Sequence, residues 1–323
     1  MSRIIVTGAN GFVGRALCRT LLAAGHEVVG IVRREGGCMA GVIEHVHDAR
    51  DFDSLGIAWP IGLEADCLIH LAARVHVMHD DASDPDAAFR ATNVEGTLRA
   101  ARAAHEHGVA RFVFLSSIKA LAETDGGIPL REDAVAQPKD AYGRSKLEAE
   151  RALIELRNTL GLDTVIVRPP LVFGPDVRAN FASLMSAVSR GVPLPLRSIK
   201  ARRSLVYVDN LADALMRCAT DPRARHGEFH VADEPAMTVA ALLMALGRHL
   251  GRPARLVPLP VSLLRAAGRV VGRSAQVDRL TTDLRVDSAH IREVLEWREP
   301  YSLDDGLAET ARWFRTVRTN MTR

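Results

Sequence analysis

The run Arg3-Ile4-Ile5-Val6-Thr7-Gly8-Ala9-Asn10-Gly11-Phe12-Val13-Gly14 leaves the fewest choices open to the rest of the chain. A short apolar strand enters a turn with glycines at 8, 11 and 14. Apolar residues at Phe12, Val13, Ala16, Leu17 and Leu21 then recur at helical spacing until Gly25. Glycines so placed let the chain turn sharply, let a pyrophosphate approach main-chain N–H groups, and let the new helix pack close to the strand it leaves. The spacing predicts a dinucleotide cradle at the head of a βαβ unit.

The same rhythm continues. Apolar runs at 28–32, 42–46, 67–73, 111–115 and 164–167 read as strands, and 85–107 and 141–160 read as helices. Short apolar strands alternating with longer helices predict an α/β fold, a doubly wound parallel sheet of the Rossmann type. From Pro169-Pro170 the texture changes, with Gly174-Pro175, Pro193 and Pro195 interrupting it. The expected division is a dinucleotide-binding domain over 1–170 and a smaller C-terminal α/β substrate domain over 171–323. A segment near 203–220 is expected to return to the first sheet, with 204–208 as a strand and Asp209 as the N-cap of the next helix. Residues 229–231, helices at 239–250 and 261–271, and a strand at 255–259 are assigned to the smaller domain. A last amphipathic helix covers 303–317.

Composition narrows the class. The 323 residues carry 42 basic and 39 acidic side chains, a net charge of +3, and the basic ones are scattered along the chain, which argues against nucleic acid as a partner. Cys18, Cys38, Cys67 and Cys218 form no C-x-x-C pair and read as buried thiols in a reducing compartment. The N-terminal apolar run is too short for a signal segment and no stretch reaches spanning length, so a cytoplasmic protein without a membrane partner is expected.

Two groups can do chemistry. Tyr142 and Lys146, four residues apart, share one face of a helix. A phenol starts near pKa ~10, and a neighbouring ammonium favours the phenolate, so the pair is a candidate general acid/base. Ser116 and Ser117 follow the strand at 111–115, at the carboxyl edge where open α/β sheets place their sites.

Thr7-Gly8-x-x-Gly11-x-x-Gly14, His70-Leu71-Ala72-Ala73, Asn93-Val94-x-Gly96-Thr97, Leu115-Ser116-Ser117 and Tyr142-x-x-x-Lys146 occur here in one order. In that order the chain resembles the extended short-chain dehydrogenase/reductases, in particular the NAD-dependent epimerase/dehydratase group and its UDP-glucose 4-epimerase-like members. The resemblance implies an enzyme in which Tyr142 exchanges a sugar hydroxyl proton, Ser117 shares that hydrogen bond, and Lys146 holds the nicotinamide ribose. It implies cofactor contacts at Gly8, Gly11, Phe12, Val13, Gly14, Asp48, Ala49, Leu71, Ala72, Ala73 and Pro169. A UDP-sugar would meet Asn180, Phe181, Leu194, Leu196, Arg203 and Arg279. A homodimer through the helices near 86–107 and 141–160 is implied as well. The reaction implied is 4-epimerisation of a UDP-hexose or its N-acetylated form. Two alternatives are a 4-keto sugar-nucleotide reductase and, remotely, a non-catalytic dinucleotide sensor.

Departures from the family pattern matter. NAD-using members end the second strand with an acid that takes the adenosine ribose hydroxyls; here Val32 stands there, followed by Arg33-Arg34. An Arg at that point suits a 2′-phosphate, so the cofactor is NAD or NADP with a lean to NADP. Glu27 sits at the wrong end of its strand to replace the acid. Ile118-Lys119 stands where similar dehydratases carry an Asp-Glu pair, which argues against 4,6-dehydration. Leu171 replaces a usual Asn, leaving the sugar open. His76, His79, His105 and His107 lack a third partner at metal-binding spacing, so no metal is expected.

Overall fold

Ile4-Ile5-Val6, Cys67-Leu68-Ile69, Phe112-Val113-Phe114 and Val165-Ile166-Val167 are apolar at successive positions and fully or almost fully buried. Successive side chains on a strand point to opposite faces, so such strands need cover on both sides. The computed structural model, which describes residues 1–75, 84–272 and 274–321, supplies that cover. Strands in chain order are β1 Arg3–Thr7, β2 Glu27–Val32, β3 Val42–Val46, β4 Cys67–His70, β5 Arg111–Leu115, β6 Asp163–Arg168, β7 Leu171–Phe173, β8 Arg202–Tyr207, β9 Glu228–His230 and β10 Asp233–Thr238. Helices are α1 Phe12–Ala23, α2 Pro85–Arg90, α3 Gly96–Glu106, α4 Ala141–Leu160, α5 Ala179–Arg190, α6 Val208–Thr220, α7 Val239–His249, α8 Val261–Val270, α9 Ser274–Thr281, α10 Ala289–Leu295 and α11 Leu303–Met321.

Seven strands form one parallel sheet in the order β3-β2-β1-β4-β5-β6-β9. This is a Rossmann-like fold. One face packs Ile4 and Val6 with Leu17 and Leu21 of α1 and Leu211 and Leu215 of α6. The other packs Ile5, Leu68, Phe112 and Phe114 with Ala100 and Ala104 of α3 and Leu153 of α4. Strand order reverses at β1, between β2 and β4, the switch point at which open α/β sheets place a ligand crevice beyond the carboxyl ends of their strands. A three-stranded sheet, β10-β8-β7, forms the smaller region.

Several sequence expectations shift. Strand β8 pairs with β7 and β10 and does not re-enter the large sheet; helix α6, which follows it, is the part that returns, packing against α1. Residues 228–230 pair in parallel with β6 as the seventh strand of the large sheet, not in the smaller region. A three-residue strand carries too little pattern to assign it to either sheet. Asp209 lies inside the first turn of α6, whose N-cap is Tyr207; its carboxylate accepts from Tyr207 Oη at 2.9 Å and from Arg19 at 2.5 Å. Residues 255–259 make only a bridge between Leu194 and Leu256. The helix read over 85–107 contains a π-helical stretch, Ala91–Glu95, between α2 and α3.

Candidate active site

At the end of β1, Gly8 turns with φ +70°, and its amide approaches the segment after β4 so closely that a Cβ would lie 3.2 Å from the Ala72 nitrogen. A Cβ on Gly14 would sit 2.1 Å from the Gly8 carbonyl oxygen, and one on Gly11 3.0 Å from it. Side chains are excluded where strand and helix meet. The start of α1 has no side-chain cap, leaving the amides at Phe12, Val13 and Gly14 as the unsatisfied donors of a helix N-terminus. A dinucleotide diphosphate fits this cradle. Leu71, Ala72 and Ala73 form the opposite lip, fixed by Thr7, whose Oγ1 accepts from the Leu71 and Ala72 amides at 3.2 and 3.3 Å. That hydroxyl also lies 3.0 Å from Nδ1 of His70, which burial pushes down to about 3 and so keeps neutral.

The adenosine side is more open. Val32 is buried at the end of β2, while Arg33 and Arg34 are exposed. The loop after them is tied down by Glu44, which accepts from the Gly36 and Cys38 amides at 2.6 Å each. Glu27 is engaged at the far edge of the sheet with Arg3. Asp48 is exposed and Ala49 half-buried just beyond β3.

Tyr142 and Lys146 project from the first two turns of α4, which Asp140 caps by accepting from the Gly143 amide at 2.8 Å. Ser117 lies beyond the end of β5 and its hydroxyl shares a hydrogen bond with the Tyr142 phenol. Burial pushes that phenol up to about 12; the Ser117 bond draws it back down and the Asp140 charge adds to the rise. Lys146 is 2% exposed, donates to the Leu115 carbonyl at 2.8 Å, and stands 4.5 Å from the Phe114 ring centre and 6.0 Å from that of Tyr142. Burial pulls its ammonium down to about 7, partly offset by Glu150. The expected drop of the phenol below its ordinary value is therefore absent: burial of both partners outweighs their mutual attraction.

Ser116, the neighbour of Ser117, is buried and donates to Glu150, which is locked to Arg168 at 2.8 and 2.9 Å. Pro169 is buried at the end of β6 and its carbonyl accepts from the Ile118 amide. Asn93 lies in the π-helical stretch, where its amide donates to Ser145 Oγ at 2.9 Å and exchanges hydrogen bonds with the main chain of Arg74.

Across the crevice, Arg203 of β8 donates to the Arg279 and Thr282 carbonyls at 2.6 and 3.3 Å. Its guanidinium is held below its ordinary pKa by burial and by the Arg279 charge. Arg279, on α9, has a buried Nε without a partner, and its Nη2 reaches Glu123 at 3.7 Å and Asp140 at 3.9 Å. Lys119 joins the group, 2.5 Å from Asp140 and 3.3 Å from Glu123. Two crowded guanidiniums with an orphaned donor fit a diphosphate.

The substrate set expected from sequence does not arrive whole. Phe181 and Leu196 are 1% and 6% exposed and belong to the core, Phe181 stacked on Phe173 at 5.4 Å, so their side chains cannot line the crevice. Leu194 is half-buried against Leu256. Asn180 is the second residue of α5, and its side chain lies outside the described residues. Glu123 and Asp140 were missed. Asp140 had a signal, an Asp three residues before Gly143 at a helix start; Glu123 had none. His76 and His79 lie outside the described residues, while His107 is stacked on Trp59 at 4.9 Å. Among the described residues no three His, Cys, Asp or Glu come together as a metal site. All four cysteines are free; burial raises Cys18 and Cys218 to about 12.

Comparison with known proteins identifies the family. Over 314 residues the chain is 38% identical to the UDP-glucose 4-epimerase of Vibrio cholerae, covering 96% of this chain and 95% of that one. It is 28% identical to the GDP-6-deoxy-D-mannose reductase of Pseudomonas aeruginosa over 236 residues, 70% and 71% of the two chains. Its fold matches the Thermus thermophilus UDP-glucose 4-epimerase solved with NAD, with a TM-score of 0.77, 24% identity, and coverage of 97% and 99%. A sequence model of the NAD dependent epimerase/dehydratase family spans residues 4–232, from the glycine turn past the seventh strand of the large sheet. The cradle, the Tyr142–Lys146 helix and this match together make the chain an enzyme of the NAD dependent epimerase/dehydratase family.

Proposed function

We propose that the enzyme is a 4-epimerase of a UDP-hexose or UDP-N-acetylhexosamine, working through a 4-keto sugar. The observation that carries this reading is the Ser117–Tyr142 hydrogen bond at the carboxyl end of β5, with Lys146 buried one turn further along the same helix. The family and the 38% identical epimerase support the substrate class. When bound, a nicotinamide dinucleotide would supply the hydride acceptor and, in its oxidised form, a positive charge. Gly8, Gly11, Phe12, Val13 and Gly14 would hold its diphosphate, Leu71, Ala72, Ala73 and Pro169 would flank it, and Arg33, Asp48 and Ala49 would meet its adenosine.

The chain's own groups divide the remaining work. Arg203 and Arg279 hold the sugar nucleotide's diphosphate, setting the hexose over Tyr142. Ser117 would align the C4 hydroxyl; Tyr142, as the phenolate that a bound oxidised nicotinamide and Lys146 would favour against burial, would take the hydroxyl proton as the carbonyl forms and return it on reduction. Lys146 would stand at the ribose and, in its charged form, favour the Tyr142 phenolate. In re-reduction from the opposite face the sugar turns while the diphosphate stays fixed. Incubation with UDP-glucose and with UDP-N-acetylglucosamine, followed by NMR of the product anomers, tests this. Formation of the galacto epimer is expected, and a protein holding its cofactor that leaves both sugars unchanged would refute the assignment.

A second reading, a 4-keto sugar-nucleotide reductase consuming NADPH, draws on Val32 and the exposed Arg33-Arg34 and on the likeness to a reductase. It predicts that Arg33→Ala weakens NADP binding several-fold more than NAD binding, measured by calorimetry. Equal losses would remove its basis. We also propose a homodimer through α2, α3 and α4, to be measured by light scattering.

A further inference from the structure

Between Asp176 and Asp209, and again between Glu234 and Asp278, the chain has no acidic residue, and each stretch carries six Arg or Lys. Scattered in sequence, these two stretches are joined in space. Leu194 donates to the Arg255 carbonyl and Val257 to the Leu194 carbonyl, both at 2.8 Å, and Arg252 donates to the Ser189 carbonyl at 3.1 Å. Arg265 is offset by Asp278 at 3.6 Å and Arg248 by Asp304 at 3.4 Å, but the rest of the outer surface of the smaller lobe keeps a cationic excess. Arg197, Arg255 and Arg269 are exposed and have no ion-pair partner among the described residues.

Helix α8 lies on that surface. Leu264 and buried Gly268 turn inward, but the apolar arc continues past them. Leu263 is 56% exposed, Val270 87% and Val271 65%, with Arg269 on the adjoining face. An apolar arc wider than the core can cover, edged by arginines that reach past it, is the pattern of a helix lying in a lipid interface. We propose that this face, with α8 at its centre, docks the enzyme on an anionic phospholipid bilayer. A second copy of the chain fits less well, since a twofold contact here would oppose Arg255 and Arg269 to their own like. The expectation of no membrane partner rested on the lack of a spanning stretch. A ten-residue helix lying flat is a different mode of attachment. Because α8 packs on α9, which carries Arg279, the docked face adjoins the diphosphate end of the crevice.

The test uses the full chain and sedimentation with vesicles of phosphatidylcholine alone or with one quarter phosphatidylglycerol. Binding is expected only to the anionic vesicles, weakening as NaCl rises from 0.1 to 0.5 M, and falling by about fivefold for each arginine charge removed by substitution. The double change Leu263→Asp, Val270→Asp and, separately, Arg255→Glu, Arg269→Glu should each lower the partition at least tenfold. Both pairs are exposed, and turnover of a soluble substrate should stay within twofold. No binding to anionic vesicles, equal binding to neutral ones, or a dimer that Val270→Asp dissolves would overturn the proposal.

Discussion

The two walls of the crevice are built by different means. On the large-sheet wall, position is set by backbone: glycines that exclude a Cβ, an uncapped helix start, and Thr7 bonding two amides of the facing lip. On the smaller wall it is set by long side chains from distant parts of the chain, Arg203 and Arg279, crowded against each other and against Glu123 and Asp140. Backbone placement is rigid and readable from a local motif. Side-chain placement can be retuned one residue at a time, which suits a wall that must tell one sugar nucleotide from another.

The catalytic helix carries the group that moves the proton, so its change should be the largest. Tyr142→Phe is expected to lower kcat by about 10²- to 10⁴-fold with the fold and cofactor affinity intact; retention of a tenth of the activity would refute its proton-transfer role. On the smaller wall, Arg279→Ala should raise KM for the sugar nucleotide by about tenfold to a hundredfold, through loss of a charge-assisted hydrogen bond. Its kcat and cofactor affinity should hardly move. A matching loss of cofactor affinity would dissolve the division between walls. On the large-sheet wall, Gly14→Ala brings a Cβ within 2.1 Å of the Gly8 carbonyl. It should cost about 1–3 kcal/mol of stability and weaken cofactor binding while sparing UDP affinity, as denaturant titration and calorimetry would show.

The effect at Lys146 is read as a change of stability with pH. Its folded pKa is pulled to about 7 by burial, well under the ordinary lysine value. Between the two, the unfolded chain holds one more proton than the folded one, so folding gains stability as pH rises through that window. Below it both states are protonated and the burial cost is constant. Lys146→Met removes the cost. Its stability advantage over the wild type in urea titrations should be largest below pH 7 and shrink towards pH 10; a flat difference would contradict the burial argument.

The large sheet was legible because β1, β2, β4, β5 and β6 are short apolar runs buried on both faces, and the signal is the run itself. The smaller sheet was not. Strand β7 sits inside a proline-rich stretch, β10 contains Asp233, Glu234 and Pro235, and both are held by pairing with β8 instead of by a hydrophobic pattern. The site divides the same way. Ser117, Tyr142 and Lys146 come from two local motifs, whereas the approach of Arg203 to Arg279, seventy-six residues apart, is a product of tertiary packing. Phe181 and Leu196 show the converse error, in which a position matched in sequence turns its side chain into the core.

The π-helical stretch Ala91–Glu95 amounts to one surplus residue threaded into a helix that would otherwise run unbroken from α2 to α3. Deleting a single residue there would give a more regular helix and a worse enzyme. Asn93 would swing by about a quarter turn away from Ser145 and Arg74, and α4 would lose the clasp that indexes Tyr142 against the lip of the cradle. Here local irregularity is the register mark by which two separately folded helices agree on where the chemistry happens.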